Sequence, residues 1–257
     1  GVASGAYRAL LAQGDGFVGV GDARPQGRPT TELVVRHGAD GAVMGSATGY
    51  VSLGQAADVR VRGAAAGGDG VVAIAALLED GADDAGLFAV AQADGAAIQA
   101  IRDVDAMSTR DRFLAVARTA NGFVLVGETA GDLLVEHLDA QGSPVAAFGD
   151  QGRLVLNVAG GRDVARGVVV QPDGGVVVVG SAEEEGVSRF LVLRLTAAGA
   201  PDAGFGDQGS TLLDFGAPAE DAVGFGVALD PRTDQIVAVG AAGPAASRHA
   251  VIVRLGR

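Results

Sequence analysis

The sequence lacks several residue types and patterns, and each absence argues against a class of protein. It contains no cysteine, which excludes a disulfide framework and thiolate chemistry. It contains no tryptophan and only 4% aromatic residues, so a core must be built from Val, Ala, Leu and Ile. No stretch approaches the run of about 18 apolar residues that spans a membrane, and no window has the apolar spacing of an amphipathic helix. These absences predict neither a membrane-spanning protein nor a helical-repeat protein.

Positive charge is also scarce. The chain has 19 basic and 31 acidic residues, a net charge of −12. Such a chain repels phosphate backbones and anionic membrane surfaces, so we expect no nucleic-acid partner and no membrane insertion. Glycine is abundant, with 42 of 257 residues, and 48% of the residues are hydrophobic. This composition is typical of a globular chain with many tight turns.

One pattern recurs five times along the chain. Each copy has a first strand of small residues, a tight turn, a Val-rich second strand that stops at Gly or Ala, and a third strand. In the first and third copies, Asp15-Gly16 and Asn121-Gly122 are predicted to supply the positive φ angles of a two-residue hairpin turn. The five repeats span approximately residues 4–57, 58–110, 111–162, 163–220 and 221–257.

The repeats predict an all-β fold. Third strands are expected at 32–37, 87–92, 133–138, 190–195 and 250–255, and fourth strands are clearest at 153–157 and 210–215. Four short strands per repeat favour a five-bladed β-propeller built from tandem four-stranded repeats, with residues 1–257 forming a single domain. A β-helix, which has shorter coils, is the alternative. Because its small residues suit a crowded axis, the first strand is placed innermost.

The fifth repeat ends at its third strand, so the last blade is expected to lack one strand within this chain. Ring propellers are often closed by a terminus that completes the last blade. Either residues before Gly1 supply the strand or the blade has three strands. An unpaired edge would also allow self-association through the last blade.

The fourth repeat carries the pattern of a known family. It reads VARGVVVQPDGGVVVVG and then FLVLRLTAAGAPDAGFGDQGSTLLDFG. This resembles the delta-60 repeat family of bacterial surface and secreted proteins, whose pattern runs AxAVxxQPDGKIVVAG and then FxxxRLxxDGxxDxxFGxxG. The third and fifth repeats match well and the first two faintly. The resemblance implies a propeller in an exported bacterial protein, whether secreted, periplasmic or on the cell surface, and it implies no shared catalytic residues.

Two sets of charged residues recur at equivalent positions, which predicts two rings around the axis. The basic set lies in the third strands and could present an anion-binding ring. The acidic set lies just before the first strands and is expected to make structural hydrogen bonds. For both sets we favour a structural role. The basic residues are Arg36, His137, Arg194 and Arg254; the acidic residues are Asp58, Asp111, Asp163 and Asp221.

The connections between second and third strands vary most among the repeats, so we expect them to display function on a fixed scaffold. Two of them are acidic, at residues 79–84 and 183–185. Their carboxylates could hold Ca²⁺, although neither follows the spacing of an EF-hand loop, and ordinary solvation is the favoured interpretation. No other cofactor is expected.

The sequence contains no nucleophile elbow with plausible partners and no phosphate-binding loop. With 31 acidic residues, no single carboxylate pair is informative. We therefore expect a non-catalytic exported binding or interaction module that presents variable loops to a protein or glycan partner. Two alternatives stay open: a secreted hydrolase with a site at the axial mouth of the propeller, and a structural repeat of a surface fibre or adhesin.

Overall fold

The computed structural model describes residues 2–27, 30–44, 49–51, 58–68, 70–79, 84–92, 98–103, 111–215 and 221–256. Every regular element among these residues is a β-strand, which confirms the all-β prediction. The described part of the chain has no helix with the length and apolar character needed to span a membrane. The chain divides into two compact units. Unit 1 contains Gly1–Arg118 and Asp139–Ser143, and unit 2 contains Thr119–Leu138 and Pro144–Arg257.

Unit 1 holds two antiparallel sheets, each with its strands in chain order. The first sheet consists of β1 (Val2–Gln13), β2 (Gly16–Pro25), β3 (Thr31–His37) and β4 (Gly49–Val51). The second consists of β5 (Asp58–Ala66), β6 (Val71–Glu79), β7 (Asp84–Gln92) and β8 (Ile98–Asp103). Valines of the first sheet, such as Val18 and Val34, pack against Val61 and Ile74 of the second. Unit 1 also contains β9 (Arg112–Arg118).

Unit 2 holds the remaining strands. The third repeat contributes β10 (Gly122–Thr129), β11 (Asp132–Asp139) and β12 (Arg153–Leu156), in the order β12-β11-β10. The fourth repeat forms a four-stranded sheet of β13 (Asp163–Val170), β14 (Val176–Glu184), β15 (Val187–Leu195) and β16 (Ser210–Leu213). The fifth forms a three-stranded sheet of β17 (Ala222–Leu229), β18 (Ile236–Ala242) and β19 (His249–Leu255). The predicted third and fourth strands of these repeats are confirmed to within a few residues.

The sheets of the fourth and fifth repeats pack face to face. Val177 and Val192 of one sheet contact Ile236 and Ala238 of the other, and the run Val176–Val179 is buried throughout. A strand covered on both faces needs apolar residues at successive positions, which explains the unbroken valine run. The first strands of the two repeats approach so closely that a Cβ on Gly167 would lie 3.2 Å from the Cα of Gly226. Small residues are therefore required there.

Two details of the connections differ from the predictions. Gly16 and Gly122 are the first residues of β2 and β10, and in the first repeat the positive φ, 60°, belongs to Gly14 instead. Gly16 is required for another reason, since a Cβ there would fall on the carbonyl oxygen of His37. The connections from second to third strands are also shorter than expected in the third and fourth repeats, where pairing continues to two-residue turns at Ala130-Gly131 and Glu185-Gly186.

Candidate functional site

The loop between β15 and β16 builds the candidate site by folding back over the end of β15. Its turn is closed by the main-chain bond from Gly199 N to Thr196 O, at 2.9 Å, with Gly199 at φ 79°. The Asp202 amide then donates to the carbonyl of Arg194 at 2.9 Å. Because the loop folds back, its Asp202 carboxylate and its Phe205 ring both contact Arg194.

Arg194 lies between these two groups. Its Nε donates to Oδ2 of Asp202 at 2.7 Å, and its guanidinium carbon lies 4.8 Å from the ring centroid of Phe205. The arginine side chain is 12% exposed. The hydrogen bond from the Gly204 amide to Asp202, followed by the charge of Arg194, holds the pKa of the Asp202 carboxyl below its ordinary value. The loop therefore holds an ionised, hydrogen-bonded pair stacked on an aromatic ring.

A cleft of about 490 Å³ opens beside this pair, between the β13–β14 turn and the end of β15. The turn is held by the bond from Gln171 N to Gly175 O at 2.7 Å, and by Asp173, whose Oδ1 accepts from the Gly175 amide at 3.0 Å. A cleft of this size with donors and acceptors on its walls fits a small polar group. The residues that line the cleft include Gln171, Asp173, Arg194, Thr196, Ala197 and Asp202.

The basic residues predicted from the sequence occupy equivalent register positions. Arg36 pairs with Val18, Arg194 with Val177 and Arg254 with Val237. Each of these valines lies three residues before the glycine stop of its second strand. Their surroundings differ. Arg36 is half-buried, whereas Arg254 is more exposed and donates to the carboxylate of Asp230.

In the third repeat, His137 occupies the position equivalent to Arg194. Its Nε2 lies 3.1 Å from Thr119 Oγ1, and its ring meets Phe148 edge-on at 5.4 Å between centroids. Burial lowers the pKa of His137. In unit 2 the basic residues thus bind partners within their own repeats: Asp202 for Arg194, Asp230 for Arg254 and Thr119 for His137. That they form an anion-binding ring stays a prediction.

The acidic residues bind main-chain amides of the preceding repeat. Asp58 Oδ1 accepts from Thr30 N at 2.6 Å, Asp221 Oδ1 accepts from Ser188 N at 3.1 Å, and Asp163 Oδ2 accepts from Val158 N. Asp111 and Asp163 are fully buried. Burial raises the pKa of Asp163, whereas the hydrogen bond from Thr30 lowers the pKa of Asp58. These contacts are of the kind expected for a structural acidic ring, which itself stays a prediction.

A set of arginines that the sequence analysis missed lies at β-bulges of the first strands. In three first strands, the pairing with the second strand skips one residue: between Tyr7 and Ala9, between Val61 and Gly63, and between Ala165 and Gly167. The skipped residue is an arginine in each of the three. A bulge leaves one residue outside the pairing and redirects its side chain. The signal was present in the sequence as an arginine recurring within the small-residue strand. The bulged residues are Arg8, Arg62 and Arg166.

One of these bulged arginines, Arg8, and a further arginine, Arg162, make bidentate pairs with carboxylates that follow the glycine stop of the second strand. Arg8 donates to Asp22 at 3.1 and 3.0 Å, and Arg162 donates to Glu128 at 2.8 and 2.7 Å. Asp22 and Glu128 are buried. Glu128 was expected in a display loop; its position inside β10 gives it a partner from the segment that leads into the fourth repeat.

Of the two acidic connections, at residues 79–84 and 183–185, the structure describes the second more fully. Residues 80–83 lie outside the described part of the chain, and so do the side chains at either end of that connection. In the other, Glu184 lies 3.8 Å from Arg189. Among the described residues, no three His, Asp or Glu side chains are grouped so that they could hold a metal ion.

Comparison with known proteins supports a propeller-type fold. The family described as "Domain of unknown function (DUF5122) beta-propeller" matches residues 171–205, a stretch that includes all the residues lining the cleft. No curated protein sequence matches the chain significantly.

Two solved structures resemble most of the chain. One is the subtype N10 neuraminidase-like protein of A/little yellow-shouldered bat/Guatemala/060/2010, with a TM-score of 0.53 and 9% identity over 97% of this chain and 80% of that one. The other is the endo-arabinase from Bacteroides thetaiotaomicron VPI-5482, with a TM-score of 0.51 and 10% identity over 99% of this chain and 95% of that one. At such identities the likeness concerns the fold alone.

Proposed function

We propose that the protein is a non-catalytic, exported binding module and that the cleft beside Arg194 receives a polar group of a protein or glycan partner. The observation that carries this proposal is the cleft itself. It combines a guanidinium, two carboxylates and an amide on a loop held by main-chain hydrogen bonds. Polar groups held in place by a rigid scaffold are what orient a ligand in a binding site.

The chemistry of these groups favours binding over hydrolysis. A glycoside hydrolase needs one carboxylic acid with a raised pKa to protonate the leaving group. The pKa of Asp202 is lowered, so this carboxyl stays ionised beside Arg194. Asp163 has a raised pKa, but it is fully buried and bound to the Val158 amide. Neither carboxyl suits the general acid of the hydrolase alternative.

The geometry also moves the proposed binding surface to the other end of the repeats. The connections between second and third strands were expected to display function, but in the third and fourth repeats they are two-residue turns. Such turns offer little surface to a partner. The cleft lies at the opposite ends of β14 and β15, where the longer loop before β16 adds side chains.

We further infer that the five repeats are the five blades of one ring. This is supported by the repeat count in the sequence, the sheets of four antiparallel strands, and the likeness to the neuraminidase-like and endo-arabinase folds.

The proposal is tested by filling the cleft. Ala197 is exposed and lines it, so Ala197→Trp should block it without disturbing the core. The matched control is Ala140→Trp, because Ala140 is the exposed residue at the same position of the third repeat. The wild-type chain is first screened on a glycan array and against a displayed peptide library, and the best binder is then measured by calorimetry. We expect Ala197→Trp to weaken binding about tenfold or more, and Ala140→Trp to change it little.

Equal binding by all three chains would show that the cleft is not the site. Cleavage of a bound glycan by the wild-type chain would favour the hydrolase alternative instead. If every binder found is unaffected by Ala197→Trp but requires several repeats at once, the structural role in a surface fibre becomes the better explanation.

A further inference from the structure

The outer edge of β19 has no strand on it among the described residues. β19 pairs with β18 over its whole length, from Ala242↔His249 to Ile236↔Leu255, and the sheet ends there. Ile252, in the middle of β19, is 75% exposed. Val192, at the same register position of β15, is 0% exposed. The last sheet therefore ends at an unpaired β19 edge, and the face that carries Ile252 is also uncovered, whereas the equivalent face of the fourth repeat packs against the fifth.

The fourth repeat shows what this kind of edge accepts. β16 pairs antiparallel with β15, from Phe190↔Leu213 to Leu193↔Ser210. The Arg194 amide donates outward to the carbonyl of Gly209 at 2.8 Å. Because amides alternate in direction along a strand, the equivalent outward donors of β19 are those of Arg254 and Ile252.

In the fourth repeat, an ion pair lies at each end of the fourth strand, β16. In the fourth repeat, Arg194 pairs with Asp202 before β16, and Arg189 pairs with Asp214 after it, at 2.7 and 3.0 Å. The same register positions of β19 hold Arg254 and His249. The strand reads HAVIVRL and contains no acidic residue, in a chain whose net charge is −12. Its edge therefore has a side chain able to donate a hydrogen bond, Arg254 or His249, at each position that contacts a carboxylate in the fourth repeat.

We propose that the β19 edge binds an extended segment of another polypeptide that carries the pattern of the fourth strand. That segment has a carboxylate, a Phe-Gly pair three residues later, a short apolar strand and a second carboxylate, as in residues 202–214. Its first carboxylate would share Arg254 with Asp230, and its Phe ring would lie against the Arg254 guanidinium as Phe205 lies against Arg194. This surface is separate from the Arg194 cleft and does not depend on the function proposed for it.

The test uses a fluorescent peptide with the sequence of residues 201–215, PDAGFGDQGSTLLDF, and the full chain. Fluorescence anisotropy should show saturable binding. Ile252→Pro removes an outward amide without taking a donor from the β18 ladder, so it should weaken binding about tenfold or more. Ile252→Thr keeps the amide and should bind within about threefold of the wild type.

The peptide and the amides provide two further readouts. A peptide with Asp202→Asn and Asp214→Asn should bind about tenfold more weakly, and added salt should reduce this difference. Hydrogen exchange should find the Ile252 and Arg254 amides unprotected in the free chain and protected in the complex. This measurement on the wild-type chain stays decisive even if Ile252→Pro does not fold.

Three results would overturn the proposal. The first is absence of saturable peptide binding by the wild-type chain. The second is equal binding by Ile252→Pro and Ile252→Thr. The third is protection of both amides in the free chain, which would mean that the edge is already covered by another part of the protein.

Discussion

The third and fourth repeats use nearly the same backbone for different side chains. In the loops that lead to β12 and β16, Gly149 and Gly206 have φ angles of 54° and 55°, and Gln151 and Gln208 have 51° and 47°. Their main-chain bonds correspond as well: His137 N binds Gly152 O at 2.9 Å, as Arg194 N binds Gly209 O at 2.8 Å. The loop geometry therefore follows from glycine positions and main-chain hydrogen bonds.

The side chains on this backbone differ between the two repeats at two contacting positions, one in the third strand and one in the loop. The fourth repeat combines Arg194 with Asp202, and the third combines His137 with Val145 at the aspartate's position. Each basic group still contacts a phenylalanine of its loop, Phe205 or Phe148. The comparison indicates that one main-chain frame supports different side chains, and it explains why, of these two repeats, the fourth has the ion pair.

The largest expected effect breaks the shared frame. A Cβ on Gly206 would fall on the carbonyl oxygen of Ser210, and a Cβ on Gly149 on that of Arg153, with both backbones in the left-handed region. We expect Gly206→Ala and Gly149→Ala each to lower the free energy of unfolding by about 2–4 kcal/mol, from clash and φ strain together. Urea unfolding measures both.

Gly160→Ala is the matched control for backbone strain alone. Gly160 has a φ of 86°, and an added Cβ would meet nothing within 4 Å. This variant should lose only about 1–2 kcal/mol. If Gly206→Ala were as mild as Gly160→Ala, or if Gly149→Ala differed greatly from Gly206→Ala, the two loops would not share one rigid frame.

A smaller effect is expected from exchanging the side-chain pair. Arg194→His should lower the free energy of unfolding by about 1 kcal/mol, because the stacking of the guanidinium on Phe205 is lost. Adding Asp202→Val, which reproduces the pair of the third repeat, should recover part of that loss. A double-mutant cycle in urea measures the coupling between the two positions. Strict additivity would contradict an energetic coupling between Arg194 and Asp202.

The smallest effect concerns pH. Burial lowers the pKa of His137 in the folded chain from its ordinary value of 6.5, so the unfolded chain binds the proton more readily. The stabilisation linked to neutral His137 is complete above pH 6.5 and is lost as the pH falls through the lowered value. The fourth repeat has Arg194 instead of a histidine at this position.

His137→Gln tests this difference. Urea unfolding of the wild type and of His137→Gln at pH 7.5 and pH 5 should show that the wild type loses more stability over this interval. The remaining histidines, His37 and His249, are present in both chains and cancel in the difference. An identical pH dependence for both chains would contradict a lowered pKa for His137.

Much of the fold could be predicted because turn residues and apolar runs act locally. The valine run of β14 and the glycines around β16 predicted strands that the structure confirms. The bulged arginines could not be found in the same way, since a bulge depends on the register between two strands. The length of the β14–β15 connection was also misjudged, because pairing continues through Glu183 and Glu184 despite their polar character.

For the candidate site, likewise, the residues could be predicted from the sequence and their contacts could not. The recurrence of Arg194 and of the Phe-Gly approach was visible in the sequence, but their contact was not, because it requires the loop to return over the end of β15. The missing fourth strand of the last repeat was expected from strand counting. The exposure of Ile252 could not be predicted, because it depends on the register with β18, which turns Ile252 to the sheet face opposite the fourth repeat.

The sequence by itself determined that this chain is a tandem array of short antiparallel strands, since local turn chemistry and alternation need no distant partner. Which partner each recurring charge binds became clear from the three-dimensional structure. Asp202 reaches Arg194 from eight residues away, and Asp163 is buried against an amide of the preceding repeat. Such contacts depend on how strands pack and pair in three dimensions, and residue order alone does not specify that geometry.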